Sequence, residues 1–187
     1  VSLAADALGL LRLGAAVVLP GEIAAAAGMP QGSWEPLCLF AIAATSDFVD
    51  GRLARATGGP TAHGALLDTV ADVSFVLAAT GGGAAIGLVP WAAPLAIVLA
   101  VASYALTSLR RSMDVGAWRL ARSRIGHAGG VANYALAGLV AGALALPHPS
   151  WGAVLRVASL VVVALNVAAV VARVVPAREL ARGPAQE

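Results

Sequence analysis

The chain has 187 residues, 59% of them hydrophobic and only 12% charged, and its mean hydropathy of +0.85 excludes an ordinary soluble globular protein. Its formal charge of +2 arises from 12 arginines, no lysine and 10 acidic residues, and no nucleic-acid partner is expected. The composition is that of an all-α, polytopic membrane protein, and the single Cys38, set in an apolar run, excludes a disulfide framework and reads as a buried packing residue.

A helix needs about 20 apolar residues to cross the hydrocarbon. Six stretches qualify, at about 5–28, 34–56, 62–84, 90–109, 128–147 and 151–174, and the short connections between them make residues 1–187 a single domain. The first stretch has no basic segment ahead of its apolar part and contains Arg12, so it is read as a retained span rather than a cleaved signal peptide. Pro20 and Glu22 interrupt it, and the span either kinks there or ends early. Two placements are open for Arg12, snorkelling to the headgroups or facing a site inside the bundle. The run Gly81 to Gly87, GGGAAIG, has no strand before it and is read as a turn rather than a nucleotide fingerprint.

Arg110, Arg111, Arg119, Arg122 and Arg124 crowd the connection between spans four and five. They form either a solvated loop on anionic headgroups or a phosphate-binding wall, for which Arg110 and Arg111 at the end of span four are best placed. Gly138 and Gly142 in span five make a small-xxx-small pair that serves helix packing or a dimer seam. Arginines also lie between spans two and three and after span six, whereas the other connections have none. The positive-inside rule therefore places these loops and both termini in the cytoplasm, with Trp34, Trp91 and Trp151 as an aromatic belt on the opposite side.

The most informative stretch is Asp47 to Asp72, DFVDGRLARATGGPTAHGALLDTVAD. Asp47, Asp50, Gly51 and Ala54 recur at helical spacing on one face, and Gly64, Asp68 and Asp72 step by four along a second helix. A short turn around Gly58, Gly59 and Pro60 would let these two helices aim four carboxylates at one volume. Near a bilayer centre a charge costs about 2.5–3.5 kcal/mol, so four unpaired aspartates would cost roughly 10 kcal/mol. A divalent cation, or a pair, is the natural occupant, and oxygen-only ligation favours Mg²⁺ or Mn²⁺ over zinc.

Asp47, Asp50, Gly51, Ala54, Arg55, Gly64, Asp68 and Asp72 fit the pattern D-x2-D-G-x2-A-R-x8-G-x3-D-x3-D at every fixed position. The stretch resembles the signature of the CDP-alcohol phosphotransferases, membrane enzymes that move a substituted phosphate from a CDP-linked donor to an alcohol. The resemblance implies that Asp47, Asp50 and Asp68 hold one or two ions against the donor pyrophosphate. It implies that Asp72 both contacts metal and takes the proton of the attacking hydroxyl. It implies further that Gly51, Ala54 and Gly64 admit the cytidine nucleotide to the helix backbones, with Asp47, Asp50 and Arg55 beside it. Arg12, in AADALGLLRL, stands at the last position of a weakened P-N-x-L-T-x-x-R stretch, with Asp6 and Gly9 at its Asn and Thr places.

The donor suggested is CDP-diacylglycerol and the favoured acceptor glycerol 3-phosphate, in a homodimer of the inner membrane among its lipids. Inositol phosphate, serine or phosphatidylglycerol stay open as acceptors, because His127 to Gly130 replace the lysine-bearing stretch that often opens span five. His63, beside Gly64, is read as a plain loop residue. The competing class is a membrane protein whose aspartates bind a translocated cation, which would not require Gly51, Ala54, Arg55 and Gly64 at fixed spacing.

Overall fold

The computed structural model describes residues 3–56, 62–115 and 124–174, with side chains over 7–49, 52, 64–109 and 125–174. In chain order the helices are α1 (Leu3–Ala26), α2 (Glu35–Ala56), α3 (Ala62–Ala85), α4 (Ala92–Val115), α5 (Arg124–Ala145) and α6 (Trp151–Val174). A helix is what such apolar runs form in lipid, because it satisfies every interior N–H and C=O within its own segment. Among the described residues the protein is all-α and reads as a polytopic membrane protein.

Five helices contain stretches long and apolar enough to cross a membrane, at Ala7–Ala26, Gly64–Ala85, Ala92–Leu109, Ile125–Ala145 and Trp151–Val174. The expected second span is the exception. Helix α2 forms over nearly the expected range, yet its 22 residues hold Glu35, Asp47, Asp50, Arg52 and Arg55, too much charge for a plain apolar crossing. Other expectations shift at their edges. Helix α1 runs through Pro20 and Glu22 without ending early. Helix α4 continues beyond residue 109 to Val115, and α5 starts at Arg124, so Gly126 and His127 lie on a helix.

The glycine run expected to be a turn is mostly the end of α3. Gly82 packs against Ile23 and Gly83 against Val140, where an added Cβ would come within 3.0 Å and 3.1 Å of those side chains. The turn itself is Gly87 at φ 78°: Leu88 N–H donates to Gly83 O at 2.9 Å and Gly87 N–H to Ala84 O at 3.1 Å, a Schellman stop with Pro90 beyond it. Gly32, at φ 80°, lets the α1–α2 connection press onto the end of α5, where Ser33 N–H donates to Leu144 O at 2.9 Å.

Helix α1 packs on α2 and α3, α4 pairs with α6, and α5 joins these groups through α2, α3 and α6. The centre is filled by Phe75, Leu136, Val140, Ile97, Leu155 and Val162. Phe40, Phe75 and Tyr134 form an aromatic cluster with ring centroids 5.5–6.3 Å apart. Gly138 lies directly under the Phe40 ring and Gly142 against Trp151, so both glycines serve packing within the chain. Val17, Leu99 and Leu160 face outward, giving the bundle the apolar exterior a bilayer requires. Cys38 is exposed on α2 rather than buried as expected, because Phe40 and Ala43 take the inward-facing positions of that helix.

Candidate metal centre

Three helices build an acidic chamber. Asp47 comes from α2, and Asp68 and Asp72 come from α3 one turn apart, so both project from the same face. One carboxylate oxygen of each lies within 4.8 Å of the others. All three side chains are partly exposed, with Asp72 the deepest at 33%.

Helix α1 contributes the cation between them. Arg12 is fully buried; its Nη1 donates to Asp68 Oδ1 at 2.9 Å and to Asp72 Oδ1, while Nη2 lies 3.7 Å from Asp47 Oδ1. Of the two placements open in the sequence, Arg12 takes the inward one. The approach depends on Gly9, one turn earlier on α1: an added Cβ would sit 3.2 Å from the Leu67 side chain, next to Asp68. The missing side chain brings the two helices close enough for the guanidinium to reach the carboxylates.

This donor set suits a hard divalent cation. It consists of carboxylate oxygens gathered from two helices, and the guanidinium standing among them shows that positive charge is accommodated at their centre. Gly64 sits one turn before Asp68 at the start of α3, as its place in the motif requires. The side chains of Asp50, Gly51, Ala54, Arg55, His63, Arg110 and Arg111 lie outside the described residues, as does the turn at Gly58 to Pro60.

A sequence profile of the CDP-alcohol phosphatidyltransferases matches residues 3–175, nearly the whole chain. The chain belongs to this family. Three of the aspartates of its D-x2-D-G motif stretch, Asp47, Asp68 and Asp72, converge among the described residues. Among curated proteins this phosphatidyltransferase family member is similar to "CDP-diacylglycerol--glycerol-3-phosphate 3-phosphatidyltransferase" of Cereibacter sphaeroides. The two are 41% identical over 66 residues, covering 33% of this chain and 28% of the relative.

A second feature was not singled out by sequence. A cavity of about 810 Å³ opens between α3, α4, α5 and α6, lined by Thr69, Tyr104, His127, Asn133, Asn166 and Arg173. Thr69 and Val73 follow Asp68 and Asp72 directly, so the chamber and the cavity share one stretch of α3. Arg173 donates through Nη1 to Ala100 O at 3.0 Å and Ser103 Oγ at 2.9 Å, and its guanidinium lies over the Tyr104 ring at 5.5 Å. Asn166 Nδ2 donates to Asn133 Oδ1 at 2.7 Å and to Val162 O at 2.8 Å. Glycines at 126, 129 and 130 help open the α5 wall. The signal for the asparagines was available: two amides within otherwise apolar spans are costly unless they pair or line a polar space.

Proposed function

We propose that the protein transfers the phosphatidyl group of CDP-diacylglycerol to the hydroxyl of a small polar alcohol, releasing CMP. The observation that carries this reading is the convergence of Asp47, Asp68 and Asp72, from two helices, within the family motif. Asp47, Asp50, Asp68 and Asp72 form the ligand set for Mg²⁺ or Mn²⁺. Such an ion, when bound, neutralises the pyrophosphate and the charge on the leaving group.

The residues of the chain do the rest. The hydroxyl oxygen of the acceptor forms a bond to the phosphatidyl phosphorus as the bond from that phosphorus to the CMP oxygen breaks. The electron pair leaves with CMP, and the hydroxyl proton passes to the Asp72 carboxylate. Gly51, Ala54 and Gly64 leave room for the cytidine nucleotide beside α2 and α3, where Arg55 meets its phosphates. A lipid donor is supported by an exposed groove of about 380 Å³ along the α1–α2 seam, lined by Leu8, Leu11, Ile42, Ser46 and Val49, the last two flanking Asp47 in the chain.

The acceptor enters through the cavity at Arg173, whose cationic group suits an alcohol bearing a phosphate. Glycerol 3-phosphate is the acceptor we favour, supported by the relative from Cereibacter sphaeroides. Arg110 and Arg111, on the extended end of α4, are further candidates for its phosphate. All six helices cross the inner membrane in this reading, with α2 carrying its charges at the cytoplasmic end and the chamber open to that side.

The test is CMP release from CDP-diacylglycerol by the purified protein in detergent, with glycerol 3-phosphate, inositol phosphate, serine or phosphatidylglycerol as acceptor. Mn²⁺ or Mg²⁺ should support release with glycerol 3-phosphate, and a chelator should abolish it. Release that persists at full rate under chelation contradicts the metal-dependent reading.

A further inference from the structure

Arg12 carries a role that the transfer reaction does not by itself require. It is the one cation at the centre of the chamber among the described residues, and it is fully buried, whereas the carboxylates around it are partly exposed. A buried guanidinium is retained only where its charge is answered, and here Asp68 and Asp72 answer it through the same nitrogen. Those two carboxylates come from successive turns of α3 and would repel one another without it. Helix α1 thus brings to the chamber the charge that lets the acidic cluster exist before any ion arrives.

We infer that Arg12 is a resident counter-cation: it holds Asp68 and Asp72 together when no metal is bound and competes with the divalent ion for them. This rests on the metal-dependent reading above. Two observations make the group a competitor rather than a permanent strut. First, Nη1 bonds Oδ1 of both Asp68 and Asp72, so a divalent ion drawn to these carboxylates meets a like charge already seated between them. Second, Nε and Nη2 are buried without a hydrogen-bond partner among the described residues. Among those residues the guanidinium is therefore hydrogen-bonded through Nη1 alone, and a side-chain rotation that frees Nη1 gives up besides it only the longer ion pair of Nη2 with Asp47 at 3.7 Å. Nε and Nη2, without a hydrogen bond among the described residues, keep N–H groups to offer an anion in the same chamber.

The competition has a direction. Removing one positive charge a few ångströms from the ion position should tighten divalent binding, by about tenfold or more even at a high effective dielectric constant. Removing a mere scaffold would loosen it. Binding of Mn²⁺ to the detergent-solubilised protein, read as loss of the free-ion electron paramagnetic resonance signal, separates the two without any turnover measurement.

Arg12→Gln should bind Mn²⁺ at least tenfold more tightly than the parent. Arg12→Lys, which keeps the charge, should stay within about threefold of it. Without metal, Arg12→Gln should melt at lower temperature than the parent, and Mn²⁺ should restore the difference. Equal or weaker Mn²⁺ binding by Arg12→Gln overturns the inference. So does a variant that cannot be recovered folded even in Mn²⁺, because the ion should replace the lost guanidinium. If the parent itself takes up no Mn²⁺, the metal-dependent reading of the chamber falls first, and that outcome is distinct from a parent that binds and a variant that does not differ.

Discussion

Replacing Asp72 by Asn isolates the proton transfer from the architecture of the chamber. Asn keeps an oxygen that accepts from Arg12 Nη1, and Arg12 retains its 2.9 Å bond to Asp68 and its approach to Asp47, so the α1–α3 contact should survive. What disappears is a negative charge and a basic oxygen at the deepest of the three carboxylates. General-base catalysis by a positioned side chain contributes about 10²–10⁴-fold, or roughly 2.7–5.4 kcal/mol of barrier. With one carboxylate gone from the ligand set, Mn²⁺ binding should also weaken, so the assay is run at saturating metal to separate the two effects. Under those conditions kcat for CMP release should fall by at least about 10²-fold, while CDP binding measured by calorimetry stays within about threefold of the parent. A kcat near the parent value at saturating Mn²⁺ removes Asp72 from the role of base. Loss of CDP binding together with loss of turnover would show instead that Asp72 organises the nucleotide site.

Two other substitutions probe the surroundings. Arg173→Ala should raise KM for a phosphorylated acceptor by about tenfold or more, leaving KM for CDP-diacylglycerol unchanged, because Arg173 lines the cavity and not the acidic chamber; equal effects on both substrates would contradict the division of the site. Gly138→Ala places a methyl group 2.7 Å from Phe40 Cζ, within an aromatic cluster that packs on Phe75 and Tyr134. Overpacking of this kind costs about 1–3 kcal/mol, so a lower melting temperature in detergent is expected, and an unchanged one would mean that Phe40 moves aside freely.

Much of this arrangement could be read in the chain because membrane helices announce themselves by length and apolarity, and because the aspartates recur at fixed helical intervals. Asp68 and Asp72, four apart, had to share a face, whereas Asp47 reaches them because α2 and α3 both pack on α1, a tertiary arrangement. The position of Arg12 was not decidable in the same way. Snorkelling and inward placement both suit an arginine near the end of a span, and the deciding factor is the close approach of α1 to α3 at Gly9 and Leu67, a tertiary contact.

The glycines of α3 misled for a related reason. In water such a run favours a turn, but in an apolar bundle Gly82 and Gly83 are the positions where α1 and α5 can approach most closely. Asn133 and Asn166 are 33 residues apart, and only the pairing of α5 with α6 makes one the partner of the other. Cys38 followed its helical phase rather than its composition, since α2 turns Phe40 and Ala43 inward.

The central claim is that Asp47, Asp68 and Asp72 grip a divalent cation. Anomalous X-ray scattering at the manganese edge, from crystals grown with Mn²⁺ and CDP, tests it most directly. The account predicts a peak bounded by these three side chains, with metal–oxygen distances of about 2.1 Å, within ~0.2 Å, and with Arg12 turned away from at least one of the two carboxylates its Nη1 now holds. A manganese peak elsewhere in the protein, with the three carboxylates still closed on Arg12, would contradict it.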